Sequence, residues 1–112
     1  MRGMNPVILY INTSSREEAI FISHELLRKK YIACANIVDN VTSLYHWQGE
    51  IESSNEVIII AKTFDSYGES VAEVVKQFHS YQCPAILTLP LAGVNQDYLD
   101  WMKTQLIDEN ER

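Results

Sequence analysis

Five consecutive apolar residues, Val57-Ile58-Ile59-Ile60-Ala61, constrain this chain more than any other feature. Three are isoleucines and one a valine, so the run favours a pleated strand over a helix. A strand wetted on one face alternates apolar and polar residues, whereas one buried on both faces reads as an unbroken run. The 112-residue chain fits one domain, 1–112, and a domain of this size that covers its sheet with helices on one side only would expose half of the run. A second copy of the chain is the economical cover, so the run predicts a homo-oligomer closed through its sheets.

The remaining elements follow from pattern. Pro6 to Ile11 is a short apolar strand, stopped by Asn12-Thr13-Ser14-Ser15. Ser15 with Glu18 forms a capping box, and Ala19, Ile22 and Leu26 recur at helical spacing up to the basic end Arg28-Lys29-Lys30. A second strand is predicted from Tyr31, bent at Asp39-Asn40 and resuming to Trp47. Gln48-Gly49 makes the hairpin turn, and Ser53-Ser54-Asn55 reads as a second bulge before the apolar run. Ser66 and Glu69 suggest another capping box, with Val71, Val74, Val75 and Phe78 as one stripe. Ala85 to Leu91 reads as a fourth strand whose Pro90 belongs at an edge. Asn95 or Asp97 caps a last helix with inner residues Leu99, Met102 and Leu106, and the charged end from Asp108 is expected to fray. The order β-α-β-β-α-β-α predicts an α+β, ferredoxin-like antiparallel sheet with helices on one face and an extra C-terminal helix.

Charge and motifs exclude several functions. Nine Lys and Arg against fifteen Asp and Glu give a net charge of −6, the wrong sign for docking on phosphate backbones or anionic lipid. The glycine-aromatic signature of RNA-recognition sheets is missing from the central strand, so neither nucleic acid nor membrane is an expected partner. No phosphate-binding loop, dinucleotide fingerprint, zinc-protease helix or nucleophile elbow is present. Cys34 and Cys83 make no disulfide framework, and no secretory leader follows Met1-Arg2, so the cytoplasm is the expected compartment; Met4 is an alternative start to Met1.

Among single residues, His24 reads as solvated, His46 as a rim residue, and His79 as a helix-end cation or, more sharply, a metal ligand. Cys34 lies among small residues and reads as a packed thiol, with a His79-activated nucleophile as the remote alternative. Tyr45, Trp47, Tyr81, Tyr98 and Trp101 carry polar handles suited to an interface or a ligand cleft, and Lys62 offers an anion contact.

Together these blocks resemble a known family. Ala33-Cys34-Ala35-Asn36-Ile37, the string Tyr45-His46-Trp47-Gln48-Gly49-Glu50-Ile51-Glu52, Ala61-Lys62-Thr63, His79-Ser80-Tyr81-Gln82-Cys83-Pro84 and Asp97-Tyr98-Leu99-Asp100-Trp101 run in the order of the CutA divalent-cation tolerance family. The resemblance implies a compact homotrimer, similar in fold and assembly to the nitrogen-regulatory P-II signalling proteins. It also implies a role in the response to copper or another divalent cation, and no catalytic activity. It would place metal contacts at His79 and Cys34, and a ligand or inter-subunit cleft at Tyr45, Trp47, Lys62, Tyr81, Gln82 and Trp101. Two positions depart from the family pattern. Gln82 stands where a carboxylate is usual, and Tyr10-Ile11 occupy the place of a first-strand cysteine. The alternative reading is a trimer without metal that scaffolds a partner or binds a small ligand.

Overall fold

A computed structural model describes residues 4–111; Met1 and Arg2, weighed above for the start of the chain, and the terminal Arg112 lie outside them. The fold is α+β. Strand β1 (Pro6–Thr13) leads into helix α1 (Arg16–Arg28), then β2 (Cys34–Trp47), β3 (Glu50–Phe64), helix α2 (Gly68–Phe78), β4 (Ile86–Pro90) and helix α3 (Gln96–Gln105). The four strands form one antiparallel sheet in the order β2-β3-β1-β4. Pro90 ends an edge strand, where its missing N–H is harmless. No helix among the described residues is long and apolar enough to cross a membrane.

Alternation sorts the sheet's two faces. Val7, Leu9 and Ile11 of β1 and Val57, Ile59 and Ala61 of β3 turn to one side, where Ala19, Ile22 and Leu26 of α1 and Val71, Val74 and Val75 of α2 close a core. On the other face α3 covers only the end near Phe64, which packs with Met102, Tyr67 and Ala33. The apolar run therefore fares better within one chain than expected. Ile58, on the face away from α1 and α2, is only 1% exposed, because β3 is an inner strand and Ile58 is flanked by Asn12 of β1 and Val38 of β2. The uncovered apolar surface falls instead on Leu87 and Leu89 of the edge strand, 55% and 45% exposed, and on Val38 at 39%.

The hairpin is as predicted around Gln48-Gly49, both at positive φ, and one bulge lies between Val38 and Val41. The second expected bulge is absent: Ser53, Ser54 and Asn55 pair in register with Leu44, Ser43 and Thr42. Polar side chains there reflect a solvated arm rather than a break. The Ser15–Glu18 cap forms, with Ser15 accepting the Glu18 N–H at 3.1 Å. The Ser66–Glu69 box does not. A 3-10 turn, Asp65–Tyr67, runs straight into α2, and the N-cap residue is Tyr67, which is drawn into the core and donates its hydroxyl to the carbonyl of Ile107. The C-terminal end forms a short 3-10 turn, Glu109–Glu111, where fraying was expected.

Strand β2 starts at Cys34 rather than Tyr31 because the end of α1 is closed by a reversed pair of hydrogen bonds. Tyr31 N donates to Leu26 O and Lys30 N to Leu27 O, both at 3.0 Å, with Lys30 left-handed at φ 61°. Glycine is the usual residue there, since a Cβ costs about 1–2 kcal/mol in that conformation. Lys30→Gly is therefore expected to stabilise the protein by about 0.5–1 kcal/mol in urea unfolding at fixed protein concentration; a loss of stability would contradict this reading of the cap.

Candidate functional site

The bulge decides which side chains of the hairpin face the sheet's open side. Opposite β3, Asp39 and Asn40 take the space of one residue, and Asn40 adopts φ 59°. Val41, Ser43, Tyr45 and Trp47 consequently share the face of Val38, opposite Glu56, Ser54, Glu52 and Glu50 in turn. Without the extra residue, Leu44 and His46 would point there. His46 instead pairs with Ile51 on the far side of the arm and is exposed, as is His24 on α1.

At the base of the arm lies Glu56, 7% exposed. Its Oε1 accepts from Asn12 Nδ2 at 3.0 Å and from the Ser43 hydroxyl, and its Oε2 accepts from the Tyr81 hydroxyl at 2.7 Å. Burial pushes this carboxyl up, but the three donors outweigh it and hold it below the ordinary glutamate value. The same contact pushes the Tyr81 phenol up, first through burial and then through the adjacent carboxylate. So the pair rests as phenol and carboxylate at neutral pH.

The segment after α2 that delivers Tyr81 is wired to three elements. The His79 ring is wholly buried; its Nε2 lies 2.6 Å from the Asn12 carbonyl, and its Nδ1 accepts the Tyr81 N–H at 2.9 Å. A carbonyl only accepts and an amide N–H only donates, so this pairing fits the tautomer with the proton on Nε2. Ser80 N donates to Glu18 Oε1 at 2.8 Å, and Ser14 N donates to Glu18 Oε2 at 2.9 Å. These bonds hold the Glu18 carboxyl below its ordinary value against the opposing effect of burial, the largest single influence on it. Glu18 thus joins the start of α1 to the loop.

Around Glu56 opens a cleft of about 980 Å³, lined by Tyr45, Trp47, Glu52, Tyr81 and Gln82 among others, with the exposed Cys83 at its edge. Four of the sequence-derived cleft residues meet here. Lys62 and Trp101 do not: Lys62 Nζ sits 5.5 Å from the Tyr98 ring centre, and Tyr98 packs on Trp101 at 5.4 Å. This second group lies at the α3 end, with Cys34 opposite Lys62 in the ladder. His79 reaches Asn12, whose ladder partner is Ile58. The ladder level that His79 reaches, that of Asn12 and Ile58, is therefore four positions, about 13 Å along the strands, from that of Cys34 and Lys62. Among the described residues no group of three or more His, Cys, Asp or Glu is disposed to hold a metal ion. Both His79 nitrogens are engaged by main chain. Glu56, Ser43 and Asn12 were missed in the sequence; the available signal was a carboxylate in phase with Ile58 at the mouth of an apolar strand.

Because the folded-state value of Glu56 lies below the unfolded one, its contribution to stability is complete above the unfolded pKa. It disappears as pH falls through the folded value. Glu56→Gln is expected to destabilise by about 1–3 kcal/mol at pH 7. The gap between the two melting temperatures should close as pH drops below about 4; a gap that stays constant to pH 3 would contradict an ionised Glu56.

The comparisons with known proteins agree with this architecture. The family model described as CutA1 divalent ion tolerance protein matches residues 7–105. The divalent-cation tolerance protein CutA of Thermus thermophilus is 39% identical over 100 residues, which is 89% of this chain and 96% of that protein. The chloroplastic CutA of Arabidopsis thaliana is 33% identical over 97 residues, 87% of this chain; the match spans about half of that protein's length, 53%. The crystal structure of CutA1 from Oryza sativa superposes with a TM-score of 0.91 at 30% identity, covering 94% of this chain and 96% of that one. On the match across residues 7–105 and the shared fold, the chain belongs to the CutA1 divalent ion tolerance family.

Proposed function

We propose that this chain forms a homotrimer of ferredoxin-like subunits that acts as a non-catalytic binding and regulatory protein in the response to divalent cations. Its recognition site is the cleft around Glu56, closed by a neighbouring subunit. The observation that carries this reading is a juxtaposition. An ionised carboxylate held by three elements sits at the base of a cleft that opens beside an uncovered apolar sheet face. Leu87, Leu89 and Val38 on that face, and Leu44 and Ile51 at 70% and 72% exposure on the arm, are surface that a second copy would bury. The strand order β2-β3-β1-β4 supports the ferredoxin-like arrangement.

For copper, His79 and Cys34 are the donors to which the family resemblance points. Their separation means that a site using either one draws its other donors from another subunit, and His79 becomes a ligand at Nδ1 only by giving up the Tyr81 N–H. That cost, and the aromatic lining of Tyr45, Trp47 and Tyr81, support a second reading, a trimer that takes a small ligand without metal. Catalysis by a His79-activated Cys34 is not favoured, since His79 bonds at the ladder level of Asn12 and Ile58, four positions from that of Cys34 and Lys62.

Light scattering at micromolar concentration is expected to give three times the 12.9 kDa of one chain; a folded monomer would overturn the assembly. In calorimetry, copper(II) should bind the wild-type protein and bind His79→Ala at least several-fold more weakly. Equal binding by both proteins would remove His79 from the site.

A further inference from the structure

The cleft combines acidic and aromatic side chains. Its concave surface carries three aromatic side chains, Tyr45 and Trp47 from β2 and Tyr81 from the loop after α2. Its charged lining residues are Glu52 and Glu56, and among the described residues that line it none is Lys, Arg or His. Two carboxylates beside three ring faces, with no basic side chain of the same chain lining the cleft, make an environment that attracts organic ammonium groups, which bind through ring quadrupoles as well as charge. In the single chain the cleft measures about 980 Å³, which leaves room for a small organic molecule beside a closing subunit.

The hydrogen bonds already in place favour such a ligand over a metal. Glu56 accepts three donors, so inner-sphere coordination would have to displace Asn12, Ser43 or Tyr81. An alkylammonium needs no vacant coordination position. It can sit against Tyr81 and Trp47 and feel the carboxylate charge across the existing bonds.

Spacing narrows the ligand further. Glu50, Glu52 and Glu56 lie on the same face of one strand, with Tyr45 opposite Glu52 and Trp47 opposite Glu50. Alternate strand residues are about 6.6 Å apart, and Glu52 and Glu56 about 13 Å. That is an acidic rail with an aromatic row beside it, matched by a chain of ammonium groups joined by three- or four-carbon linkers. We infer that the cleft binds a linear aliphatic polyamine, its methylenes lying on Tyr45 and Trp47 and its nitrogens along Glu52 and Glu56. This rests on the cleft being the recognition site, and not on the chain binding metal.

The test is calorimetry with spermidine at low salt, where surface charge is least screened, on the wild-type protein, Trp47→Phe, Trp47→Leu and Glu52→Gln, each checked for an unchanged mass by light scattering. Wild type should bind, and Trp47→Phe should retain most of the affinity. Trp47→Leu, which keeps apolar bulk but removes the ring, should lose roughly 3- to 30-fold. Glu52→Gln should also weaken binding, and magnesium at equal charge should not compete stoichiometrically. No binding of spermidine at millimolar concentration, or equal binding by Trp47→Phe, Trp47→Leu and wild type, would overturn the proposal. The parallel copper titration separates the two readings: spermidine binding without copper binding keeps the cleft and removes the metal, and copper binding without spermidine does the reverse.

Discussion

The inner position of β3 is the constraint on which the rest of the structure depends. Only a strand paired on both edges can carry five apolar residues in a row and keep nearly all of them from water. Once β3 lies between β1 and β2, its helix-facing residues fix where α1 and α2 pack, and its two ends fix what each end of the open face contains. Phe64 at one end recruits α3. Glu56 at the other meets Asn12 from β1, Ser43 from β2 and Tyr81 from the loop after α2.

Local patterning made most of this fold legible. Apolar periodicity located every strand and helix, and Asp39-Asn40 marked the bulge, because a polar pair inside a β-branched strand has few other uses. The errors share a cause. Ser53–Asn55 looked like a break because exposure and irregularity produce the same polar signature, and in the arm the cause is exposure. Ser66 looked like a cap because its spacing to Glu69 is right, yet Tyr67 was the stronger local demand: a large ring with a core to fill and Ile107 to bond. Tyr31 looked like strand because nothing in its composition reveals that Lys30 turns left-handed.

The candidate site was legible by residue type and illegible by partnership. Tyr45, Trp47, Tyr81 and Gln82 were identified and do converge, whereas Lys62 and Trp101, grouped with them on residue chemistry and family resemblance, belong to a separate contact with Tyr98. His79 was read as a helix-end cation or a metal ligand, whereas its two nitrogens are spent on Asn12 and Tyr81. Those bonds join residues 2 and 67 positions apart. Tertiary satisfaction of this sort leaves no periodic trace in a sequence, since a histidine that positions a loop and one that binds an ion are written with the same letter.

That positioning role explains how a carboxylate can be buried here at all. An isolated charge at 7% exposure would be expelled or protonated. Glu56 stays ionised because three donors converge on it, and one of them, Tyr81, is held in place by His79 and, through Ser80, by Glu18. The network and the site are therefore the same object: the bonds that stabilise the loop are the bonds that keep a negative charge at the base of the cleft. A substitution anywhere along Asn12, Glu18, His79 or Tyr81 reaches the cleft through that chain of bonds. Loss of ligand binding in such a variant consequently does not identify the substituted residue as a ligand contact. Only residues outside the network that face the cleft, Trp47 and Glu52 foremost, report on recognition itself.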